Sequence, residues 1–122
     1  MENKTILIIE DNELNMKLFR SLLQLQKYKV IEAENAEKGI QLTREHQPDL
    51  ILMDIQLPGM DGLRATEMIS TDEDLKDIPI LALTSYAMEG DKEKALAAGC
   101  VGYIAKPIDT RSFSKIIAKY IQ

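Results

Sequence analysis

Thr5-Ile6-Leu7-Ile8-Ile9-Glu10-Asp11 decides the reading of this chain: an apolar run that stops on two acids. Three further runs end the same way, on polar residues able to do chemistry. Leu50-Ile51-Leu52-Met53 ends in Asp54, followed by the turn-rich Leu57-Pro58-Gly59-Met60-Asp61-Gly62. Pro79-Ile80-Leu81-Ala82-Leu83 ends in Thr84-Ser85, and Gly102-Tyr103-Ile104-Ala105 ends in Lys106-Pro107. Uninterrupted runs, rather than alternating ones, are expected of strands buried on both faces of a parallel sheet. Ligands of open sheets of that kind bind beyond the C-terminal strand ends. Three carboxylates, a hydroxyl and an ammonium would meet there, a set suited to a divalent cation and a phosphoryl group.

Working outward, the pattern predicts strands near 5–10, 29–33, 49–54, 79–84 and 102–105. Helices are predicted near 13–27, 36–46, 63–71, 88–98 and 110–121. Short apolar runs alternating with helical stretches are the mark of βα units. Right-handed crossovers make these a doubly wound five-stranded parallel sheet. The flavodoxin-like order 2-1-3-4-5, a (βα)5 three-layer α/β sandwich, sets strands one and three side by side at the switch point. Those strands end in Glu10-Asp11 and in Asp54.

The helix faces can be anticipated too. Asn12 reads as the N-cap of the first helix, and Leu14, Leu18, Leu22 and Leu25 read as its buried stripe. In the last helix Phe113, Ile116, Ile117, Tyr120 and Ile121 read as buried. Arg111, Lys115 and Lys119 fall opposite, as a solvated face or a docking face for a partner. The fourth helix offers Ala95, Leu96 and Ala98 as its inward residues after Met88, which implies a weakly held element.

Composition narrows the function. The chain has 122 residues, enough for one domain over residues 1–122 with a sizeable core. A net charge of −5 gives no pull toward nucleic acid. No apolar run approaches the ~20 residues of a membrane span, and Met1-Glu2-Asn3-Lys4 lacks a signal peptide's basic start. The single Cys100 cannot form an internal disulfide, which suits the cytoplasm, and it reads as a small core residue. His46 reads as a surface residue at a helix end.

Glu10, Asp11 and Asp54 in one small volume would repel, and each would raise the others' pKa. A hard cation removes the conflict. Mg²⁺, with Mn²⁺ as the alternative, takes about six oxygens and commonly only one or two protein carboxylates. Asp11 and Asp54 are the expected direct ligands, with Glu10 acting through water. The plainer reading is that Glu10 and Asp11 only cap the first helix. Asp54 is also a candidate nucleophile, since a carboxylate can attack phosphorus to form an aspartyl phosphate. Lys106 and Thr84 are placed to hold phosphoryl oxygens. A phosphatase of the haloacid dehalogenase type uses similar chemistry, but it needs a second acid where this chain has Gln56.

These motifs resemble the response-regulator receiver domain along the whole chain: Glu10-Asp11, Leu52-Met53-Asp54-Ile55-Gln56-Leu57-Pro58-Gly59-Met60-Asp61-Gly62, Thr84, Tyr103 and Lys106-Pro107. Glu10-Asp11-Asn12-Glu13-Leu14-Asn15 is most similar to single-domain receivers of the DivK type, and similar receivers also end hybrid histidine kinases. The resemblance implies a two-component phosphorelay protein, not an enzyme with a separate substrate. Asp54 would accept a phosphoryl group from a histidine kinase or histidine phosphotransfer protein. Asp11, Asp54 and the backbone carbonyl of Gln56 would bind Mg²⁺. Thr84 and Tyr103 would form the switch pair, with output to a downstream protein target on the face of helix four, strand five and helix five. Gln56 and Tyr86 would tune the phosphoryl lifetime, and the Lys106–Pro107 bond would be cis. Two departures stand out: Glu-Asp replaces the more usual Asp-Asp, and Ser85 replaces a common Ala. The remaining alternative is a pseudo-receiver, a binding module that leaves its acceptor unused.

Overall fold

The computed structural model describes residues 3–55, 61–84, 89–106 and 108–121, with the side chains of residues 89–92 left aside. Strands β1 (Thr5–Ile9), β2 (Lys29–Ala33), β3 (Leu50–Asp54), β4 (Ile80–Thr84) and β5 (Gly102–Ala105) alternate with helices α1 (Glu13–Leu25), α2 (Ala36–His46), α3 (Gly62–Ser70), α4 (Glu89–Ala98) and α5 (Thr110–Tyr120). All neighbouring strands are parallel, in the order β2-β1-β3-β4-β5, which is the predicted topology. Predicted ends fall within two residues of the observed ones.

The three central strands, β1, β3 and β4, are almost wholly apolar because each face of the sheet has its own core. Ile6, Ile8, Leu50, Leu52, Leu81 and Leu83 pack with Met16, Phe19 and Leu23 of α1 and with Phe113 and Ile117 of α5. Leu7, Ile9, Ile51, Met53, Ile80 and Ala82 pack on the other side with residues of α2, α3 and α4. Phe19 and Phe113 stack at 5.7 Å between centroids, which ties α1 to α5. Gly39 lets α2 lie flat on β1, because a methyl there would sit 2.3 Å from Ile9 Cδ1.

Capping residues start the helices where expected. Asn12, Asn35, Asp61 and Asp109 each accept a backbone N–H of the following turn, each such cap stabilising by about 1 kcal/mol. The first helix stops two residues short of its predicted end. Lys27 adopts φ 67°, and the N–H groups of Lys27 and Tyr28 bond the carbonyls of Gln24 and Leu23. That pair of bonds closes the helix in a Schellman turn.

One predicted face is wrong and a second is wrong in one residue. The buried stripe of α1 is Met16, Phe19 and Leu23, whereas Leu14 and Leu25 are 79% and 76% exposed. Leu18 is exposed too, and Leu22 only half-buried. The helix carries apolar residues on most of its circumference, and the aromatic that can stack on Phe113 determines which side turns inward. In α4, Ala95 and Ala98 are buried but Leu96 is exposed. In α5 Phe113, Ile117 and Ile121 are buried as read, Ile116 and Tyr120 are half-buried, and Arg111, Lys115 and Lys119 are all exposed. Among the described residues no helix is long and apolar enough to cross a membrane.

Candidate functional site

Strand order and register bring the functional side chains to one edge. Asp54 and Thr84 are the last residues of β3 and β4, while Glu10 and Lys106 directly follow β1 and β5. Main-chain bonds carry the ladders one step past the strands. The Glu10 N–H bonds Ala33 O at 3.0 Å, Ile55 bonds Leu83 at 3.2 Å, and Lys106 bonds Thr84 at 2.7 Å. The backbones that present the acids and the lysine are therefore fixed by the sheet itself.

The acids converge as the sequence suggested. One carboxylate oxygen each from Glu10, Asp11 and Asp54 lies within 4.8 Å of the others. Glu10 and Asp54 are buried, and Asp11 is exposed at the rim. Lys106 Nζ sits between the two buried acids, 2.5 Å from Glu10 Oε1 and 3.3 Å from Asp54 Oδ2. Among the described residues three carboxylates face one ammonium, which leaves surplus negative charge there. Burial pushes Glu10 up to about 7, the neighbouring Asp54 carboxylate adds to the rise, and Lys106 opposes it.

Whether these residues suit a divalent cation can be judged from their donor atoms. Glu10 Oε2 is buried and meets no hydrogen-bond donor among the described residues. A buried carboxylate oxygen without a donor is costly. The set is all hard oxygen, the cluster is partly open at Asp11, and the negative charge is in excess; these features fit Mg²⁺. A cleft of about 480 Å³ opens from Glu10 and Asp11 along α1 and β2 toward Lys17, Arg20 and Lys38.

Thr84 is buried beside the acids at the end of β4. Tyr103 points outward from β5, 37% exposed, above a groove of about 430 Å³ lined by Ile104, Phe113, Ile116 and Tyr120. Gln56, Ser85, Tyr86, Met88 and Pro107 lie outside the described residues, so the roles read for them rest on sequence alone. His46 is exposed at the end of α2, and Cys100 is buried with its thiol pushed up to about 11 by burial. Neither belongs to the site.

The sequence reading gave no role to Gly62, yet it touches the site directly. A methyl placed on it would lie 2.2 Å from the Asp54 carbonyl oxygen and 2.6 Å from Ile55 Cα. A glycine at the first position of a helix behind a candidate acceptor was the available signal.

Known proteins share this arrangement. The response regulator receiver domain family matches residues 6–118. The polar-differentiation response regulator DivK of Brucella anthropi is 48% identical over 118 residues, covering 97% of this chain and 96% of that protein. The receiver domain of the sensor histidine kinase PA1611 from Pseudomonas aeruginosa, solved with a magnesium ion coordinated in its active-site cleft, superposes with a TM-score of 0.91 at 33% identity, over 98% of both chains. The receiver of Saccharomyces cerevisiae Ssk1, solved with the histidine phosphotransfer protein Ypd1, gives 0.87 at 31% identity, over 97% of this chain and 88% of that one. With its family motif, sheet order and acidic edge in agreement, the chain belongs to the response-regulator receiver domains of two-component signalling and is similar to DivK.

Proposed function

We propose that this receiver takes a phosphoryl group onto Asp54 from a phosphohistidine of a histidine kinase or histidine phosphotransfer protein. The observation that carries the reading is the position of Lys106 Nζ, in contact with both Glu10 and Asp54 at the edge where three carboxylates meet. An Asp54 oxygen attacks phosphorus; the P–O bond forms as the P–N bond breaks, and the imidazole departs and takes a proton from water. The Lys106 ammonium, released from its carboxylate partners, pairs with a phosphoryl oxygen, and the Thr84 hydroxyl donates to another. Asp11 and Asp54 would hold Mg²⁺ with the Gln56 carbonyl, and Glu10 through water, to supply charge neutralisation at the phosphoryl oxygens.

The exposed leucines of α1 support a helical donor. Leu14, Leu18 and Leu25 form an apolar stripe that begins three residues from Asp11, so a partner seated on it reaches the acceptor edge. Output is assigned to α4, β5 and α5. Movement of Thr84 toward the phosphoryl group frees space beside β5, and Tyr103 turns in over the groove it now borders. Helix α4 can follow because its described buried residues, Ala95 and Ala98, are small.

Incubation with acetyl phosphate and Mg²⁺ tests the acceptor. The wild type should gain one phosphoryl group by mass, and Asp54→Asn should gain none while staying folded. Equal labelling of the two would move the acceptor elsewhere, and no labelling of either would favour a pseudo-receiver.

A further inference from the structure

The acceptor Asp54 and its partner Lys106 sit on strands two places apart, with β4 between them. Their separation is therefore set by more than one ladder. A second connection runs outside the sheet. Gly62 opens α3 against the Asp54 carbonyl so closely that no side chain would fit, which makes the first turn of α3 a backstop for the acceptor's backbone. Thr66, wholly buried, holds that turn: its hydroxyl donates to Gly62 O at 2.7 Å. Thr66 Oγ1 in turn accepts the Cys100 thiol proton, with sulfur at 3.9 Å.

Cys100 is itself fixed. Its N–H bonds Ala95 O at 3.0 Å while the N–H of Gly99, at φ 121°, bonds Leu96 O at 3.1 Å, which closes α4 in a Schellman turn. Ser70 Oγ donates to Ala98 O at 2.9 Å and ties that turn to the end of α3. Val101 then bonds Ile80 O at 2.9 Å, and β5 runs on to Lys106. One hydroxyl thus sits where the support of Asp54 meets the entry to the strand that delivers Lys106.

Building on the acceptor reading above, we propose that Thr66 is a positioning residue for phosphoryl transfer. Its hydroxyl, with Cys100 as donor, fixes the first turn of α3 and so the placement of Asp54 against Lys106. A misplacement of about 1 Å at a reacting group costs on the order of a hundredfold in rate. Partial relaxation of one helical turn should therefore cost about tenfold.

Thr66→Val keeps the shape and deletes the hydroxyl, and Thr66→Ser keeps the hydroxyl. Two measurements on the full chain decide the matter: amide spectra without metal or donor, and phosphorylation by acetyl phosphate at saturating Mg²⁺ over a range of donor concentrations. Thr66→Val should shift the Ile55 and Lys106 amides and lower the maximal rate about tenfold, with the half-saturating donor concentration unchanged. Thr66→Ser should restore both readouts. If Thr66→Val fails to fold, Cys100→Ala and Cys100→Ser pose the same question from the donor side, with loss expected in the first and rescue in the second. Wild-type amide positions at Ile55 and Lys106, or a wild-type maximal rate, in the hydroxyl- or thiol-deleted variant would overturn the proposal. A wild-type protein that takes no phosphoryl group would sink the acceptor reading instead, and the amide comparison would still decide this one.

Discussion

Glu10→Gln should remove most of the pH dependence of stability between pH 5 and 8 in metal-free protein. Glu10 titrates near 7 in the folded chain against 4.5 for an ordinary glutamate, because burial and the Asp54 carboxylate disfavour its charge. Between those values the folded protein keeps a proton that the unfolded chain has released. Stability therefore falls as pH rises through that window and levels off above about pH 7. A gap of roughly two and a half pH units corresponds to about 3 kcal/mol. For a domain of this size that is about 10 °C in Tm. Glutamine keeps an oxygen to accept the Lys106 ammonium and carries no charge to desolvate. Thermal unfolding in a chelator, at half-unit pH steps, should show the wild type losing stability with pH and Glu10→Gln nearly flat. Saturating Mg²⁺ should recover the wild type at high pH, because a cation that binds only the ionised, folded site stabilises it by mass action. Parallel pH curves for the two proteins would refute the argument and remove Glu10 as the strained member of the acid cluster.

Lys106→Ala leaves the buried Glu10 and Asp54 carboxylates without their shared ammonium. It should cost about 3 kcal/mol at pH 8 and less at pH 5, and should weaken partner binding in the phosphorylated state; urea titration and a binding assay check the two parts. Phe113→Ala empties a fully buried position stacked on Phe19. It should cost about 3–5 kcal/mol by urea denaturation, and a loss below about 1 kcal/mol would mean that α1 and α5 are not joined through that stack.

The sheet was legible because its three central strands are buried on both sides, and only unbroken runs such as Leu50–Met53 satisfy that demand. The acid edge was legible for a related reason: a polar residue ending such a run stands at a known end of a known sheet. Glu10, Asp54 and Lys106 needed no tertiary detail to be brought together. Helix α1 was misread because Leu14, Met16, Leu18, Phe19, Leu22, Leu23 and Leu25 supply two overlapping apolar stripes. Sequence spacing cannot choose between them; the fit of Phe19 against Phe113 does. The contact of Gly62 with Asp54 depends on how closely α3 abuts β3. No residue spacing encodes that distance.

The division of the central strands between two cores has a consequence for how such a chain can diverge. Ile6 and Ile8 face the α1 and α5 layer, and Leu7 and Ile9 face the layer of α2, α3 and α4. Substitutions in separate layers share few neighbours, so their effects on stability should add. A lineage can then exchange side chains beneath the leucine-striped helix while the layer that carries Thr66 and Cys100 is inherited intact. The two layers of side chains can drift on separate clocks within one small domain.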